Sequence, residues 1–268
     1  MTDFGLLSCV TRFGVAIAEF LAQTAVLTAR RKIMHALKVW TVVISICASI
    51  AGMGATCERV EANFQHFDSI LAEKKFQFEK TMAAPQDKIW VKSKLSYMVD
   101  VDQNIRVAAL DWPTLKKYDT AEKECFWKAI FPVWQKIDSA NTADLAHLMA
   151  RYRWITIPVF GKMASEDAWL LAQHADHDRD FQRRVLAILE ALHPAGDVSP
   201  RNYAYLYDRV TWYADKKPQR FATQGRCVGP SDWQPWDTED FANVDTRRAA
   251  LGMESWKDNK RLVDAYCH

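Results

Sequence analysis

An amide, an imidazole and a carboxylate stand close together in Gln173-His174-Ala175-Asp176, among stretches of mostly apolar residues. Histidine titrates near neutral pH, so the ring of His174 can serve as a general base, a general acid, a nucleophile or a metal ligand. The carboxylate of Asp176 would orient such a ring, and the Gln173 amide would contact substrate. We therefore predict that His174 and Asp176 are catalytic. The alternative is that His174 is a hydrogen-bonded core residue.

A second acid, Asp208, precedes Arg209 at the end of a predicted helix. Asp208 is the other candidate for the carboxylate that orients His174, and we predict that it is catalytic. The planar guanidinium of Arg209 is suited to binding a substrate carboxylate or phosphate. A cation at a helix C-terminus also interacts favourably with the helix dipole, which is the alternative role for Arg209.

Apolar and polar residues alternate over residues 210–226, around a charged run that ends in Pro218, and this pattern predicts a β-hairpin. On the second strand, Gln219 and Thr223 would lie on one face and Gln224 on the other. Their amide and hydroxyl groups offer donors and acceptors to a polar substrate. We predict that these side chains bind substrate if they face a pocket, and that they have no such role if they face solvent.

Asp102 and Arg106 lie four positions apart in a predicted helix, so their side chains would project from the same face. We predict that both residues contact substrate. The alternative is an exposed ion pair, which stabilises a helix by only about 0.2–0.5 kcal/mol.

The spacing of His174 and Asp178 would also allow the two side chains to share a metal ion, because they are four positions apart. A metal site needs at least a third ligand in a defined geometry. The sequence has no His-Glu-x-x-His motif or comparable spacing. We therefore predict no metal site and no cofactor.

Apolar residues recur at helical spacing along most of the chain after residue 57. Glycine and proline are sparse, with nine of each, which argues against an all-β sandwich. A loop or short strand is expected between Trp154 and Phe160. The predicted fold is mainly α, a multi-helix bundle-like single domain over 57–268 with one small β-hairpin. Its helices are expected to begin near residue 58, Pro85, Thr120, Asn141 or Thr142, Ser165, Asp178, Ser199 and Asp245.

The charges of the chain are balanced, with 35 Lys and Arg against 33 Asp and Glu, for a formal net charge of +2. Such a chain lacks the electrostatic footprint of nucleic-acid binding, so we predict no nucleic-acid partner. The 49% hydrophobic content can supply a sizeable core, and eleven Trp suit a packed core or an aromatic pocket.

An uncharged run of small and apolar residues covers 40–55, after a basic segment that begins at Met34. The run is shorter than the ~20 residues of a membrane-spanning helix, and the pattern fits a secretory signal peptide. We predict a signal peptide over 34–56, an upstream extension over 1–33, and a periplasmic or secreted protein. The alternatives are an uncleaved N-terminal helix and a lipoprotein anchored at Cys57. Membrane contact would be limited to the signal segment or that lipid.

Cleavage there would leave four cysteines, Cys57, Cys125, Cys227 and Cys267, which allow three disulfide pairings. An exported chain permits disulfides. Cys125 lies in an aromatic helical run, so a buried free thiol is as consistent with its surroundings as a bridge.

Together these segments resemble a bacterial family known as domain of unknown function 6624. The family pattern contains Gln-His-Ala-Asp, Ala-Tyr-Leu-x-Asp-Arg-Val and Gln-x-Tyr-Gly-Thr-Gln segments. The corresponding segments here are residues 173–176, 204–210 and 219–224, and Asp102-Gln103 with Arg106 is similar to an earlier Asp-Gln-x-x-Arg segment. The resemblance extends over roughly residues 58–265 and includes a closing segment from Arg247-Arg248 to Gly252.

The chain departs from the family pattern at two places. Phe221-Ala222 replaces Tyr-Gly, and Trp154-Ile155 replaces a Gly-Trp-Pro step. The resemblance implies that the polar segments belong together in one fold, and it implies no activity.

The residues support two functional hypotheses. The first is a hydrolase or transferase acting on a small polar or peptide-like substrate, with His174 as general base or acid, Asp176 or Asp208 as its orienting carboxylate and Arg209 as anion anchor. The alternative is a non-catalytic binding or immunity-like module whose polar cluster is structural. A concave site that exposes His174 would favour the enzyme, and a sealed network would favour the module.

Overall fold

The computed structural model describes residues 57, 60, 69, 72–75, 87–110 and 112–267. The chain divides into two compact units, one formed by Met1–Ser69 with Leu110–Ile130 and the other by Ile70–Ala109 with Phe131–His268. The upstream extension and the signal peptide lie outside the described residues and stay predictions. The boundaries of a single domain over 57–268 also stay a prediction.

Helices account for most of the described chain, which confirms the mainly α fold class. In chain order they are α1 (Lys88–Leu110), α2 (Trp112–Lys117), α3 (Thr120–Tyr152), α4 (Ile157–Phe160), α5 (Lys162–Gln173), α6 (Arg179–Leu192), α7 (Pro200–Arg209), α8 (Val244–Ala250) and α9 (Trp256–Asp264). A π-helical turn, Val210–Ala214, continues α7, and short 3₁₀ turns cover His193–Ala195 and Phe241–Asn243. The strands β1 (Gly225–Gly229) and β2 (Asp232–Pro235) form a two-stranded antiparallel sheet.

The β-hairpin exists, but its predicted position at 210–226 is wrong. The π turn takes the first part of that segment, and the N–H of Asp215 donates to the carbonyl of Val210 at 3.1 Å. Residues 219–224 form a loop, and the hairpin follows it from residue 225 to residue 235. A Cβ on Gly225 would clash with the carbonyl oxygen of Gln234, so the close approach of the strands requires glycine there.

Several helix ends follow local capping rules. Asp178 accepts the N–H of Phe181 at 2.8 Å, which confirms the predicted start of α6. Asp119 and Glu122 form a reciprocal capping box at the start of α3, with N–H to carboxylate distances of 2.8 and 3.0 Å. The predicted start at Ser199-Pro200 is confirmed, since α7 begins at Pro200.

Two predicted helix starts are wrong. No helix begins at Asn141 or Thr142, because α3 continues through both; the Thr142 hydroxyl donates to the carbonyl of Asp138 at 2.8 Å, inside the helix. Ser165 does not cap α5, which begins at Lys162 and buries Ser165. The predicted start at Pro85 lies outside the described residues, and α1 begins at Lys88.

The segment from Trp154 to Phe160 is neither a loop throughout nor a strand, because its last four residues form the single turn of α4. A proline near the first position of a helix costs no hydrogen bond, which is how Pro158 is accommodated. The final helix expected near Asp245 is α8, and α9 follows it.

In the first unit, a disulfide joins Cys57 to Cys125, with their Cα atoms 5.5 Å apart. A small apolar cluster accompanies it, formed by Val60, Leu115 and Tyr118 with Phe126 packed against them. Cys125 is therefore bridged and is not a free thiol.

In the second unit, α5 contacts both α6 and α7, and small residues such as Ala168 and Ala204 are fully buried there. The core also takes residues from α1 and from the part of α3 after residue 130; its fully buried members include Leu95, Leu145, Leu171, Val185, Leu189 and Leu206. This core fixes the ends of α5 and α7, which carry the polar segments. None of the described helices is long and apolar enough to cross a membrane.

A second disulfide, Cys227–Cys267, joins β1 to the third residue after the end of α9, with Cα atoms 5.4 Å apart. The carbonyl of Cys267 also accepts the N–H of Ser231 at 2.8 Å. Of the three pairings that the sequence allowed, the structure has Cys57 with Cys125 and Cys227 with Cys267.

Candidate functional site

His174 terminates α5 and turns its ring towards α1. Its backbone N–H still donates to the carbonyl of Leu170 at 3.1 Å, so the residue is fixed by the last turn of the helix. Its Nδ1 atom lies 3.0 and 2.9 Å from the Oδ1 and Oδ2 atoms of Asp102. The Asp102 side chain is fully buried, whereas that of His174 is 17% exposed. A buried carboxylate therefore contacts a histidine that solvent can reach.

Arg106 joins the same cluster from one turn further along α1. Its Nε lies 2.9 Å from Nδ1 of His174, and its Nη2 lies 2.9 Å from Asp138 and 3.2 Å from Asp102. The guanidinium carbon is 4.7 Å from the centre of the Trp134 ring, which fixes the plane of the fork. The cluster thus contains two carboxylates, one guanidinium and one imidazole.

Asp138 and Trp134 were not predicted as site residues. Both lie on α3, four positions apart and so on one face of that helix, and this polar–aromatic spacing was the available signal. Burial raises the pKa of Asp138; the positive charge of Arg106 opposes this effect and the negative charge of Asp102 adds to it.

The tautomer of His174 decides which partner it uses. With a proton on Nδ1, the ring donates to Asp102 and leaves a lone pair on Nε2; without it, Nδ1 accepts from Nε of Arg106. The hydrogen bonds among the described residues include none to Nε2. In the first tautomer the ring therefore has the form of a general base.

Asp176 lies two positions beyond His174 and binds two arginines. Its Oδ1 accepts from Nε of Arg209 at 2.8 Å and from Nη1 of Arg179 at 2.8 Å, and its Oδ2 contacts Nη2 of Arg209. Burial pushes the pKa of Asp176 up, but the hydrogen bond and charge of Arg209, with Arg179 and Gln182, hold it below its ordinary value. Asp176 is thus held as a carboxylate, and it orients both guanidiniums.

Asp208 organises the loop at 219–224. Its fully buried carboxylate accepts the backbone N–H groups of Arg220, Phe221 and Thr223, at 2.8 to 3.2 Å, and the hydroxyl of Thr223 at 2.9 Å. Burial raises the pKa of Asp208, and these hydrogen bonds oppose it. The side chain takes the donors that the predicted strand would have offered to a neighbour, which is the physical reason that no strand forms there.

Gln219 closes the same loop with its side-chain amide. Its Oε1 accepts the N–H of Gln224 at 2.9 Å, and its Nε2 donates to the carbonyls of Gln224 and Trp236, both at 2.8 Å. Ala222, between these amides, has a φ of 53°, the left-handed conformation that favours glycine.

Two arginines of α8 hold the loop from its other side. Nη1 of the fully buried Arg248 donates to the carbonyl of Phe221 at 2.8 Å, and its Nε donates to the carbonyl of Glu254 at 2.8 Å. Nε of Arg247 donates to the carbonyl of Arg220 at 2.8 Å. The sequence analysis included these arginines only as part of a closing segment and did not predict their contacts with the backbone carbonyls of the loop.

The predicted site residues form two hydrogen-bonded groups in the second unit. The first contains Asp102, Arg106 and His174. The second is a continuous chain of contacts whose predicted members are Asp176, Arg209, Gln224, Thr223 and Asp208. Within it, the Gln224 side chain accepts from Arg209 at 3.2 Å and donates to the Thr223 hydroxyl at 3.2 Å. Gln219 adjoins the second group through Gln224. Gln173, 6% exposed, precedes His174, and the backbone joins the two groups through Ala175.

The carboxylate that contacts His174 is that of Asp102, which the sequence placed among the substrate-binding residues. Among the described hydrogen bonds, none joins His174 to Asp176 or Asp208, the two acids expected to orient it. Asp178 caps α6. Across the described part of the chain, no group of three or more His, Cys, Asp and Glu side chains is placed to hold a metal ion.

A cleft of about 1020 Å³ lies elsewhere in the second unit, against α1, α4 and α5. Its lining includes Ser93, Ser96, Tyr97, Asp100, Lys162 and Asp167, and it contains none of the predicted site residues. The cleft and the two hydrogen-bonded groups of predicted site residues therefore lie at different places. We assign the candidate site to the two hydrogen-bonded groups, because the cleft is wide open and has no buried charged cluster of its own.

Comparison with known proteins gives one positive result. The family model described as "Family of unknown function (DUF6624)" matches residues 91–268, a range that contains both polar groups and the loop they hold. Neither the curated proteins nor the solved structures contain a match. Because the matched range covers well over half of the chain, the protein belongs to the DUF6624 family of unknown function.

Proposed function

We propose that this protein is a hydrolase or transferase that uses His174 on a small polar or peptide-like substrate. The observation that carries the proposal is the pairing of His174 with Asp102. One ring nitrogen lies against a fully buried carboxylate, and the other has no partner among the described residues. In the tautomer that carries its proton on Nδ1, a histidine held this way has a free lone pair on Nε2 and a fixed direction for proton transfer.

The charges around His174 suit a general base. Asp102 and Asp138 supply two carboxylates against the single guanidinium of Arg106. A positive charge that develops on the ring as it takes a proton is therefore balanced within the cluster. In this mechanism Asp102 orients the ring, and Asp176 acts further away by holding Arg209.

Two polar atoms of this region are buried without a hydrogen-bond partner among the described residues, Nη1 of Arg106 and Oε1 of Gln173. Buried polar atoms are rarely left unsatisfied in proteins. Because neither atom is accessible to solvent, neither offers a contact to a substrate in this conformation, and the proposal rests on the ring of His174.

A specific observation also favours a non-catalytic binding or immunity-like module. Asp208, Gln219 and Thr223 are buried, and their side chains are fully engaged with the 219–224 loop. Such a sealed network supports a structural role for that part of the constellation. In our proposal these residues hold the loop, and the reaction is confined to the His174 group.

We also propose that the protein is exported to the periplasm or the exterior. The disulfides of the two units are compatible with an oxidising compartment. Intact-mass analysis of the protein expressed in a bacterial host should find a mature chain that starts near Cys57, with or without a lipid. A cytoplasmic product that retains residues 1–56 would contradict export.

The catalytic proposal is tested by asparagine variants of similar side-chain size, which remove either the imidazole or the carboxylate that orients it. Wild type, His174→Asn, Asp102→Asn and His177→Asn are each incubated with a pool of metabolites and short peptides, and the pool is followed by mass spectrometry. His177 is the matched control, because it is an exposed histidine three positions away. We expect at least one compound to be consumed by wild type and His177→Asn, and about 100-fold more slowly by the other two. Equal consumption by all four proteins, or by none, would contradict the proposal.

A further inference from the structure

Arg179 and Arg209 come from different helices and meet at one carboxylate. Arg179 is the first residue of α6 and Arg209 the last residue of α7. Each places a nitrogen 2.8 Å from Oδ1 of Asp176, and Arg209 also contacts Oδ2 through Nη2. The single acid therefore fixes two guanidiniums side by side.

The ring of Tyr213 fixes the same two groups. The guanidinium carbons of Arg179 and Arg209 lie 5.7 and 5.3 Å from its centre. The hydroxyl of Tyr213 accepts from Nε1 of Trp236 at 3.4 Å, so the ring is itself held in place. A guanidinium against an aromatic face keeps its fork in a fixed plane. Both arginines are thus oriented before any ligand arrives.

Each arginine keeps N–H groups that the described contacts do not use. Arg179 uses Nη1 for Asp176 and Gln182, which leaves its Nε and Nη2 hydrogens. Arg209 uses one hydrogen on each of Nε, Nη1 and Nη2, which leaves two of its five. The side chains are 30% and 20% exposed, so solvent solutes can reach these donors.

The cluster of Arg179, Arg209 and Asp176 has two guanidiniums and one carboxylate. Of the acids that flank Arg179, Asp178 caps α6 and Asp180 pairs with Arg183. Arg179 also lies in the first turn of α6, where the helix dipole adds partial positive charge. An oxyanion with two or more oxygen atoms matches the spare paired donors of a guanidinium.

The carboxylate that holds the arginine pair is close to His174 along the chain. Asp176 follows His174 by two positions, and two residues of extended chain span at most about 7 Å. Gln182 braces the connection, because its Nε2 donates to the carbonyl of Gln173 at 3.0 Å and to Oδ1 of Asp176 at 3.2 Å. The backbone therefore holds the Cα atoms of His174 and Asp176 close together, and a substrate bound by the arginines would have to extend from them to the histidine ring.

We propose that Arg179 and Arg209 form the binding site for an oxyanion group, a carboxylate or a phosphate, of the substrate on which His174 acts. This inference rests on the proposed function for the substrate's identity, and it adds Arg179 as a residue that determines specificity. Asp176 is a positioning residue in this site, since it acts through the two arginines.

The test measures anion binding directly, without turnover. Inorganic phosphate and acetate are titrated by calorimetry into wild type, Arg179→Gln, Arg183→Gln and His174→Asn at constant ionic strength. Arg183→Gln is the matched control: it removes the same charge from α6, where Arg183 pairs with Asp180 and Asp215. We expect wild type, Arg183→Gln and His174→Asn to bind at least one of the two anions with about millimolar affinity. Arg179→Gln should weaken that binding by about tenfold or more.

The two anions separate the sources of the oxyanion. Preference for phosphate indicates a phosphorylated substrate, and preference for acetate indicates a peptide or metabolite carboxylate. If Arg179→Gln unfolds, Arg179→Lys replaces it; it keeps the charge, loses the planar fork and should also bind more weakly. Absence of saturable binding of both anions by wild type would overturn the inference, as would equal affinities of the Arg179 and Arg183 variants. Retained anion binding by His174→Asn without any turnover by wild type would leave this site standing and contradict only the catalytic proposal.

Discussion

Nδ1 of His174 lies 2.9 Å from Oδ2 of Asp102, and 72 sequence positions separate the two residues. The contact joins the end of α5 to the middle of α1, so the packing of these helices sets the geometry of the histidine. A substitution that moves α1 away from α5 would therefore break the contact between His174 and Asp102, even if it changed neither residue.

Asp102→Asn tests the energetic role of this pairing. The change keeps the shape of a fully buried side chain but removes the negative charge beside His174 and Arg106. Removal of one partner from a buried ion pair costs about 3–5 kcal/mol, so we expect the free energy of unfolding in urea to fall by roughly that amount. Asp180→Asn, which breaks an exposed pair with Arg183, is the control and should lower the free energy of unfolding far less, because exposed ion pairs contribute little to stability. Equal stability of the two variants would contradict a buried ion cluster.

Asp208→Asn tests the loop at 219–224. An amide in this place has only one acceptor oxygen, and its NH₂ group would face the backbone N–H groups of Arg220, Phe221 and Thr223. Each buried donor left unsatisfied costs about 1–3 kcal/mol. We expect faster hydrogen exchange at these three amides, measured by NMR, in the variant than in wild type. Unchanged protection would show that Asp208 does not hold the loop.

Substitutions of Ala222 report on backbone strain in that loop. A left-handed conformation costs an L-residue roughly 1–2 kcal/mol, and the buried methyl group of Ala222 returns about 0.8 kcal/mol. Ala222→Gly should therefore change the free energy of unfolding by less than about 1 kcal/mol, because the two effects oppose each other. Ala222→Val should destabilise by more than about 2 kcal/mol, since a β-branched residue at positive φ is strained and the site is full. A tolerated valine would be inconsistent with this conformation.

The pH dependence of stability should report the lowered pKa of Asp176. An aspartate whose folded-state pKa lies below its ordinary 3.8 stabilises the fold above that value, and this contribution is lost as pH falls through the folded-state pKa. The stability difference between wild type and Asp176→Asn should be constant from neutral pH to about pH 5 and should shrink below pH 3.8. Urea midpoints measured for both proteins across this range check the sign. A difference that grows on acidification would contradict the ion contacts with Arg209 and Arg179.

The disulfide between Cys227 and Cys267 closes 40 sequence positions. In the chain-entropy account, a loop of this size stabilises the folded state by about 2–4 kcal/mol. The double variant with serine at both positions should therefore unfold at a lower temperature than wild type in a calorimeter. Reduction removes this bridge from wild type as well. Reduced wild type and the reduced double variant should therefore unfold at the same temperature.

The sequence predicts the helices well where one face is apolar and a cap is local. The starts of α6 at Asp178 and of α7 at Ser199-Pro200 depend on neighbours within a few positions, so the pattern is sufficient. Asn141 and Thr142 resemble a helix start equally well, yet α3 passes through them, because the Thr142 hydroxyl finds a carbonyl within the helix.

The hairpin was misplaced because its alternation had another cause. Phe221, Ala222, Thr223 and Gln224 are all buried, so no face of a strand exists there. The alternation reflects a loop wrapped around the carboxylate of Asp208, a contact 12 to 15 positions away that no local pattern encodes.

Most residues of the two hydrogen-bonded groups were candidates from the sequence, but their partners were not predicted. Asp102, Arg106 and His174 were all candidates, and only the packing of α1 against the end of α5 shows that they touch. Asp138 was missed because a lone acid in a long helix resembles a solvent-exposed residue. Arg179 was missed because it lies in a run of charged residues, 176–180, of the kind that usually faces solvent at the start of a helix.

The clamp on the 219–224 loop has a consequence for biosynthesis. Arg248 follows Phe221 by 27 positions, so the Phe221 carbonyl is synthesised before the arginine that donates to it. Chains emerge from the ribosome N-terminus first, at about 5–20 residues per second. A nascent or prematurely terminated chain that ends before residue 247 would carry Asp208 and its loop without the two arginines. In such products the loop would lack these contacts, so proteases would cleave it more readily than in the finished protein.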